Sequence, residues 1–437
     1  MSELTNKIHK VFSEKPLTAD QTNLYIPLDD LRGSNNIVRR LAGTIRAGQG
    51  TTQVLAGHEG SGKSTELMRL QRELEQGNPK YFVVYCSSNE DIDRNDIDFS
   101  EILFVIVRQM AQQLKAKAQI TLKPGYFKAR LAEFKDILGS DIDFDKFDLD
   151  LSVAKVSGKI KYSPTTRTLL RKAMEPNTDN LVAAANDLIG EATLQLSKQG
   201  YAGLVILFDD LDKMEVHTKD GTRYTTDEHL FINRSPQMTG FHCHIVYSMP
   251  LALAYSKHHQ TLRKLYGGQM PVVPMIKVKT MPPGGTIHQP GIDAMRKIID
   301  ARLDSEQITF NQVFDSVGTC ERLIQLSGGQ PSVLMSLVKE AVIADTLPIQ
   351  DASLVRIRRE WKREFRRPLR RDHWTIVEKF RANGQYVPDE DEDPVFRDLL
   401  ESRALLQYVN DEEWYGLNPF VELLEPPAGI NADASKP

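Results

Sequence analysis

Residues 57–64, GHEGSGKS, have the residue types and the spacing of a phosphate-binding loop. They follow TTQVLA, a short β-prone run, and precede TELMRLQRELEQ, which has helical periodicity. In this context the glycines let consecutive backbone N–H groups point at phosphate oxygens, and the helix N-terminus adds its positive end. The residues that we expect to bind the nucleotide are Gly57, Gly60, Ser61, Gly62, Lys63, Ser64 and Thr65.

Two side chains of this loop have predicted chemical roles. Lys63 would reach the β- and γ-phosphates, and the Ser64 hydroxyl would bind Mg²⁺. His58 and Glu59 occupy variable positions of the motif and have no assigned role. We expect ATP rather than GTP, because no guanine-recognising NKxD-like motif follows the core strands. The predicted cofactors are therefore ATP and Mg²⁺.

A second run, GLVILFDDLDK at 203–213, places carboxylates where an ATP-hydrolysing site needs them. Its apolar residues predict a strand buried on both faces, with the acidic residues at its carboxyl end. We expect Asp209 to hold Mg²⁺, directly or through water. Either Asp210 or Asp212 would orient or deprotonate the attacking water, and the sequence leaves that choice open. The pattern predicts a Mg²⁺-dependent ATPase.

A third run, FHCHIVYSMP at 241–250, predicts a strand that ends at Ser248. A short hydroxyl at this point could contact the γ-phosphate or the attacking water, but serine is also a common strand-ending residue. The neighbouring His242, Cys243 and His244 do not predict a metal site, because alternate residues of a strand point to opposite faces.

The alternation of strands and helices predicts a parallel α/β sheet with the nucleotide at the carboxyl ends of the strands. The five predicted strands are TQVLAG, YFVVYCS, LVILFDD, HIVYSMP and MIKVKT. The predicted organisation is an N-terminal segment (1–36), an ATPase core (37–285) with an insertion at about 119–180, a helical lid (286–350), a winged helix (351–425) and a disordered tail (426–437). Within the insertion, DIDFDKFDLDLSVAKVSGKIKYSP alternates and suggests a hairpin or an extended arm.

Composition excludes some classes of protein and leaves others open. No run of about 18 apolar residues and no signal-peptide pattern occurs in the 437 residues, so we expect a cytoplasmic protein without a membrane partner. Three scattered cysteines give no disulfide framework. The net charge of -4 does not attract nucleic acid, so any such binding needs a local patch. SLVRIRREWKREFRRPLRR, at 353–371, supplies one, with nine Arg/Lys against two Glu.

These motifs together resemble the P-loop ATPases of the AAA+/STAND group, in particular bacterial and archaeal chains with a lid and a C-terminal winged helix. The matching features are Arg32-Gly33, the loop from Gly57 to Leu67, the acidic strand end from Phe208 to Lys213, the Ser248 strand end and the SGGQP of the lid. The resemblance covers roughly 29–425 and implies a P-loop NTPase sheet core of the AAA+/ASCE type. It also implies a homo-oligomer that assembles on ATP, is reset by hydrolysis and controls an effector protein encoded nearby, as in bacterial antiphage defence.

The lid departs from the family pattern at one position. Many AAA+ lids carry an arginine just after the lid proline, whereas Ser332 and Val333 follow Pro331 here. STAND-type chains commonly lack that arginine, which favours a switch over a processive motor. An arginine finger from a neighbouring subunit would come from the segment after Ser248. Arg263 is the nearest candidate, although it could equally be an ordinary surface residue.

Two functions remain open. The winged helix could act on a partner protein in a signalling switch, or on nucleic acid in a DNA-associated ATPase that resembles replication initiators or transposition regulators. The predicted recognition helix, PVFRDLLESRALLQYV, carries Arg397 and Arg403 but also acidic residues, and acidic loops flank it, which disfavours phosphate contact. Arg and Lys residues of 356–371 could still bind DNA, RNA or an acidic partner. A small-molecule kinase is disfavoured, since such kinases usually lack this lid and winged helix.

Overall fold

A computed structural model describes residues 3–33, 36–89, 91–219, 221–281, 285–344, 347–383, 388–389, 392–409 and 412–428. Residues 429–437 of the predicted tail, 390–391 of the acidic loop and 410–411 of the predicted wing lie outside the described residues. The central sheet contains β1 (Thr52–Gly57), β2 (Phe82–Ser87), β3 (Leu204–Asp209), β4 (His244–Met249) and β5 (Val272–Val273).

The sheet is wholly parallel, with the spatial order β2-β3-β4-β1-β5. β3 and β4 are buried along their whole length, as expected for strands covered by helices on both faces. Because the strands are parallel, their carboxyl ends share one edge, where Gly57, Asp209 and Met249 come together. This arrangement confirms the predicted α/β fold class with a helical lid.

Helices pack on the sheet, and further helices form the lid and the C-terminal region. Those before and within the core are Glu3–Val11, Ile37–Ala47, Lys63–Gln76, Phe99–Ala118, Gly125–Ala132, Lys135–Leu138, Leu151–Tyr162, Pro164–Met174, Thr178–Lys198, Thr226–Glu228, Ser235–Met238, Leu251–Ala254 and His259–Leu265. The lid helices are Gln289–Ser305, Phe310–Val313, Val317–Leu326 and Pro331–Ala344. The C-terminal helices are Asp351–Arg366, Arg371–Asn383, Asp393–Glu401 and Pro419–Glu422.

The fifth strand is displaced from its predicted position. MIKVKT, at 275–280, was expected to complete the sheet, but Val272 and Val273 pair with the end of β1 instead. The Met275 N–H donates to the Gln407 carbonyl at 3.0 Å, and the Ile276 N–H donates to the Gly329 carbonyl at 3.2 Å. The predicted strand therefore connects the core to the lid and to the C-terminal region, and its alternation reflects burial against those parts.

The predicted hairpin in the insertion is wrong. The second half of the segment forms the helix Leu151–Tyr162, whose buried Val153, Val156 and Ile160 follow helical spacing. The first half turns because Asp143 and Asp148 accept backbone N–H groups two and three residues ahead, as aspartate does in turns. The alternation of DFDKFDLDL reflects these turn-forming carboxylates.

The C-terminal module (residues 351–428) consists of helices followed by an antiparallel pair, β6 (Leu405–Val409) and β7 (Glu413–Leu417). This is the order of elements expected of a winged helix. The module packs on the rest of the chain: the Tyr408 hydroxyl donates to the Gly328 carbonyl of the lid at 2.7 Å. Arg397 pairs with Asp227 and Glu228 of the core, each at 3.0 Å.

No helix among the described residues has the length and apolar character needed to cross a membrane.

The buried ion pairs of Arg397 lead to a stability prediction. We expect Arg397→Ala to lower the free energy of unfolding by about 3–5 kcal/mol, since it leaves two buried carboxylates without their cation. Urea unfolding followed by circular dichroism measures this loss. The control is Arg367→Ala, whose exposed pair with Glu364 should cost less than about 1 kcal/mol. Equal losses in both variants would contradict the docking contact.

Candidate functional site

The phosphate loop lies between the end of β1 and the start of the helix Lys63–Gln76. Gly60 and Gly62 have φ angles of 79° and 105°, in the left-handed region that other residues avoid. The backbone of the loop thus turns as the motif requires. Thr65, Ser64 and Lys63 follow at the helix N-terminus, where backbone N–H groups are free for an anion.

Lys63 is held by the protein itself. Its ammonium donates to the carbonyls of Gly57 at 2.6 Å and His58 at 2.8 Å, and it pairs with Asp212 at 2.8 Å. The side chains of Lys63 and Asp212 are only 4% and 3% exposed. The cation that should reach the phosphates is therefore satisfied internally by a buried carboxylate.

Asp209 has the surroundings expected of a cation ligand. Its carboxylate accepts a hydrogen bond from the Tyr85 hydroxyl at 2.5 Å and another from Ser64. Burial raises the pKa of Asp209, and the nearby charges of Asp212 and Asp210 raise it further. A cation placed there would relieve this repulsion.

Carboxylate and hydroxyl oxygens suit Mg²⁺, which usually takes one or two protein ligands and completes its shell with phosphate oxygens and water. In the part of the chain that the structure describes, no three His, Cys, Asp or Glu side chains converge on a metal-binding point. Ser64 and Asp209 together fit a metal that is bound with the nucleotide.

The structure separates the two aspartates between which the sequence could not choose. Asp210 accepts from the Ser87 hydroxyl and the Asn89 amide, both at 2.6 Å, and it pairs with Lys213. Asp212 lines the cavity in front of the loop, and its Oδ1 atom has no hydrogen-bond partner among the described residues. Asp212 is thus the aspartate that lines the cavity and keeps a buried oxygen without a partner.

Ser248 lies beside this cluster but does not line the cavity. Its fully buried hydroxyl accepts the backbone N–H groups of Leu211 at 2.9 Å and Asp212 at 3.4 Å. These bonds fix the turn that carries Asp212. Ser248 thus supports this turn within the chain, and its contact with the γ-phosphate or the attacking water stays a prediction.

Arg263 does not join the site within one chain. It lies on the helix His259–Leu265, is exposed, and donates through Nε to the Gly268 carbonyl at 3.0 Å. It is not among the residues that line the cavity. Its contact with a neighbouring subunit stays a prediction.

A cavity of about 1070 Å³ opens in front of the loop. Five parts of the chain line it, one of which is the turn after β3 with Asp212 and Lys213. They include Leu24, Tyr25, Ile26 and Leu28 of the N-terminal segment, Glu59, Gly60, Lys63, Ser64 and Thr65 of the loop, Ile298, Arg302, Ser332, Val333 and Met335 of the lid, and Trp361, Phe365, Ser402 and Arg403 of the C-terminal module. The cavity is large enough for a nucleotide, and its apolar residues suit a base.

The lid is closed on the loop. Gln330 donates to the Glu59 carbonyl at 3.1 Å. A Cβ atom at Gly60 would lie 1.9 Å from the Ser332 hydroxyl, so only glycine lets the lid approach this closely. The SGGQP segment thus touches the phosphate loop directly.

Two cationic residues of the cavity were not assigned from the sequence. Arg32 donates to the Ser61 carbonyl at 2.5 Å and pairs with Glu66 at 3.3 Å, so it supports the loop. Arg302 is buried in the lid without an ion-pair partner among the described residues, and burial lowers its pKa to about 10. The lid thus has no arginine directly after Pro331, but its helix Gln289–Ser305 places Arg302 in the cavity wall. Of these two arginines, only Arg32 was marked by the sequence, as part of the Arg32-Gly33 pair.

The chain has no match among family models or among curated proteins. Solved structures that are similar to it include the following three. A Walker-type ATPase of Pyrococcus abyssi is 14% identical with a TM-score of 0.48, and the match covers 94% of this chain and 98% of that one.

The ORC2 protein of Aeropyrum pernix, solved with ADPNP and ADP, is 12% identical with a TM-score of 0.42, over 94% of this chain and 95% of that one. Cdc6p of Pyrobaculum aerophilum is 10% identical with a TM-score of 0.41, over 95% of each. At these identities and scores the likeness concerns overall arrangement, and no role is transferred from these proteins.

The separation of the aspartates gives a kinetic prediction. We expect Asp212→Asn to slow ATP turnover by about a hundredfold or more, because an amide cannot accept the proton of the attacking water. ATP binding should persist in this variant, as measured by calorimetry. Asp210→Asn is the matched control and should retain more activity, since Ser87 and Asn89, which donate to Asp210, lie outside the cavity. A larger loss in Asp210→Asn would assign the role to Asp210.

Proposed function

We propose that this chain is a Mg²⁺-dependent ATPase in which nucleotide binding changes how the lid and the C-terminal module sit on the core. The observation that supports this proposal best is the composition of the cavity wall. The phosphate loop, the lid and the C-terminal module all contribute to it. A nucleotide in this cavity would contact all three parts, so its loss would alter their packing.

The proposed site uses the residues described above. The backbone of Gly60, Ser61 and Gly62 would bind phosphate oxygens, with Gly57 starting the turn and Thr65 at the helix end. Ser64 and Asp209 would hold Mg²⁺, which neutralises charge on the β- and γ-phosphates when it is bound.

Lys63 is the central element of the proposal. An incoming phosphate group would replace Asp212 as the partner of the Lys63 ammonium, which is now satisfied at 2.8 Å. Asp212, released from that pair, would then be available to accept from a water molecule. Phosphate binding to Lys63 and release of the Asp212 carboxylate would thus occur together.

The direct test is Lys63→Ala. We expect this variant to lose measurable ATP binding and turnover, because the phosphate group would lose its cation. Calorimetry with MgATP and a phosphate-release assay measure the two effects. A circular-dichroism spectrum like that of the unmodified chain shows that the fold is retained. Undiminished turnover would refute the site.

Two partners are candidates for what the proposed ATPase acts on: an effector protein and nucleic acid. Control of an effector protein by an ATP-dependent homo-oligomer, as in antiphage defence, rests on the resemblance alone and stays a prediction. Association with nucleic acid has one specific observation in its favour, which concerns the outer face of the helix Asp351–Arg366.

Five basic residues on that face have no ion-pair or hydrogen-bond partner among the described residues. They are Arg358, Arg359, Lys362, Arg363 and Arg366, and they line a groove of about 440 Å³ together with Val355, Leu423 and Leu424. Their spacing of three, four and seven residues places them on one side of the helix. Trp361 and Phe365 of the same helix face the nucleotide cavity.

The predicted recognition helix is less available than this basic face. Its Arg397 is engaged by Asp227 and Glu228, and its Asp398 pairs with Arg370. We therefore propose the basic face of the helix Asp351–Arg366, and not the helix Asp393–Glu401, as the phosphate contact of a DNA-associated ATPase.

Charge neutralisation tests this second proposal. We expect Arg359→Gln, Lys362→Gln, Arg363→Gln and Arg366→Gln together to weaken duplex DNA binding and to reduce the slope of log affinity against log salt by about 3–4. The matched control replaces Arg367 and Arg370, which already pair with Glu364 and Asp398. Salt-independent or absent DNA binding by the unmodified chain would leave a protein partner as the output.

A further inference from the structure

The turn between the helix Asp393–Glu401 and β6 lies at the mouth of the phosphate loop. Ser402 and Arg403 of this turn line the same cavity as Gly60 and Lys63. The turn is almost 340 residues away in sequence, and no motif marks it. Its position next to the loop therefore needs a physical explanation.

His58 provides that explanation. It occupies a variable position of the loop and is 2% exposed. Its Nε2 atom accepts the Gln407 backbone N–H at 2.9 Å. Gln407 lies in β6, directly after the turn that carries Arg403, so this contact clamps the end of the turn on the phosphate loop.

The clamp depends on a neutral imidazole. Since Nε2 accepts a hydrogen bond, the ring proton must be on Nδ1. Burial lowers the pKa of His58 to about 3, with the charges of Lys63 and Arg403 adding to the effect. The ring is therefore an uncharged acceptor at neutral pH, and the contact persists beside two cations.

Arg403 itself is placed as a cation without a close partner. Its backbone has a φ angle of 59°, an uncommon conformation for a residue with a side chain. Its guanidinium lies 3.8 Å from Glu59, and the side chain is 34% exposed. Glu59 is 56% exposed, so this pair is loose and open to replacement.

The loop backbone encloses the inner phosphates of a bound nucleotide, and Lys63 spans the β- and γ-phosphates. The terminal phosphate is the part that the loop amides leave open. Arg403 lies beside Glu59 of the loop. Among the described residues of the C-terminal module, it is the one arginine or lysine that lines the cavity.

We infer that Arg403 binds the terminal phosphate of ATP from within the same chain, and that His58 positions it by clamping the turn on the phosphate loop. This inference rests on the proposed ATP site. It assigns to the C-terminal module the detection of whether the nucleotide is a triphosphate or a diphosphate. ATP replaces Glu59 as the partner of the guanidinium, whereas ADP leaves the Glu59 contact unchanged.

The test compares the affinities for MgATP and MgADP by calorimetry. We expect Arg403→Ala to weaken ATP binding by about tenfold, the effect of losing one charge-assisted hydrogen bond, and to change ADP binding by less than about threefold. Arg403→Lys should recover part of the loss because it keeps the charge. His58→Ala should lower the same ATP-to-ADP preference although Arg403 is intact.

Arg367→Ala is the control, since this arginine is 73% exposed and does not line the cavity. An unchanged ATP-to-ADP preference in Arg403→Ala would overturn the inference, and so would an equal loss for both nucleotides. Failure of the unmodified chain to bind either nucleotide would instead refute the proposed function. A circular-dichroism spectrum like that of the unmodified chain shows that Arg403→Ala is folded, and Arg403→Gln replaces it in the comparison if the spectrum differs.

Discussion

The ion pair between Lys63 and Asp212 is the constraint around which this site is built. Two charged side chains lie in the interior, 2.8 Å apart, with Asp209 and Asp210 close by. Such an arrangement is stable only while each charge keeps a partner, because an unpaired buried charge is costly. In the proposed site a phosphate group would become the partner of Lys63 and Mg²⁺ would lie beside Asp209, so nucleotide binding would rearrange this cluster.

Hydrogen bonds around this cluster connect it to the lid and to the C-terminal module. Ser248 fixes the turn that carries Asp212, and Arg32 braces the loop from the opposite side. Gln330 of the lid binds the Glu59 carbonyl, and Gln407 of the C-terminal module binds His58. Adjacent loop residues thus contact the lid and the C-terminal module. A shift of this short loop would reach both of them.

Part of the structure could be predicted from the sequence because it depends on local patterns. The strand–loop–helix around Lys63 and the acidic end of β3 depend on local patterns, and the structure contains both. The alternation in MIKVKT and in DFDKFDLDL is also local, but its causes are contacts with Gln407 in one case and turn-forming aspartates in the other. Periodicity alone does not distinguish these causes from a strand.

The contacts that complete the site arise from long-range packing. Arg302 and Arg403 enter the cavity from helices and turns that have no motif, and His58 occupies a position where any residue fits the motif. The choice of Asp212 over Asp210 depends on which carboxylate Ser87 and Asn89 already satisfy. These assignments needed three-dimensional proximity, since no spacing in the chain encodes them.

Hydrogen–deuterium exchange with and without MgATP tests the central claim, that one nucleotide joins the loop, the lid and the C-terminal module. The predicted result is slower exchange in three separate segments: residues 57–65, residues 328–334 and residues 400–407. Slower exchange confined to the phosphate loop would contradict the claim, and so would no change in any segment.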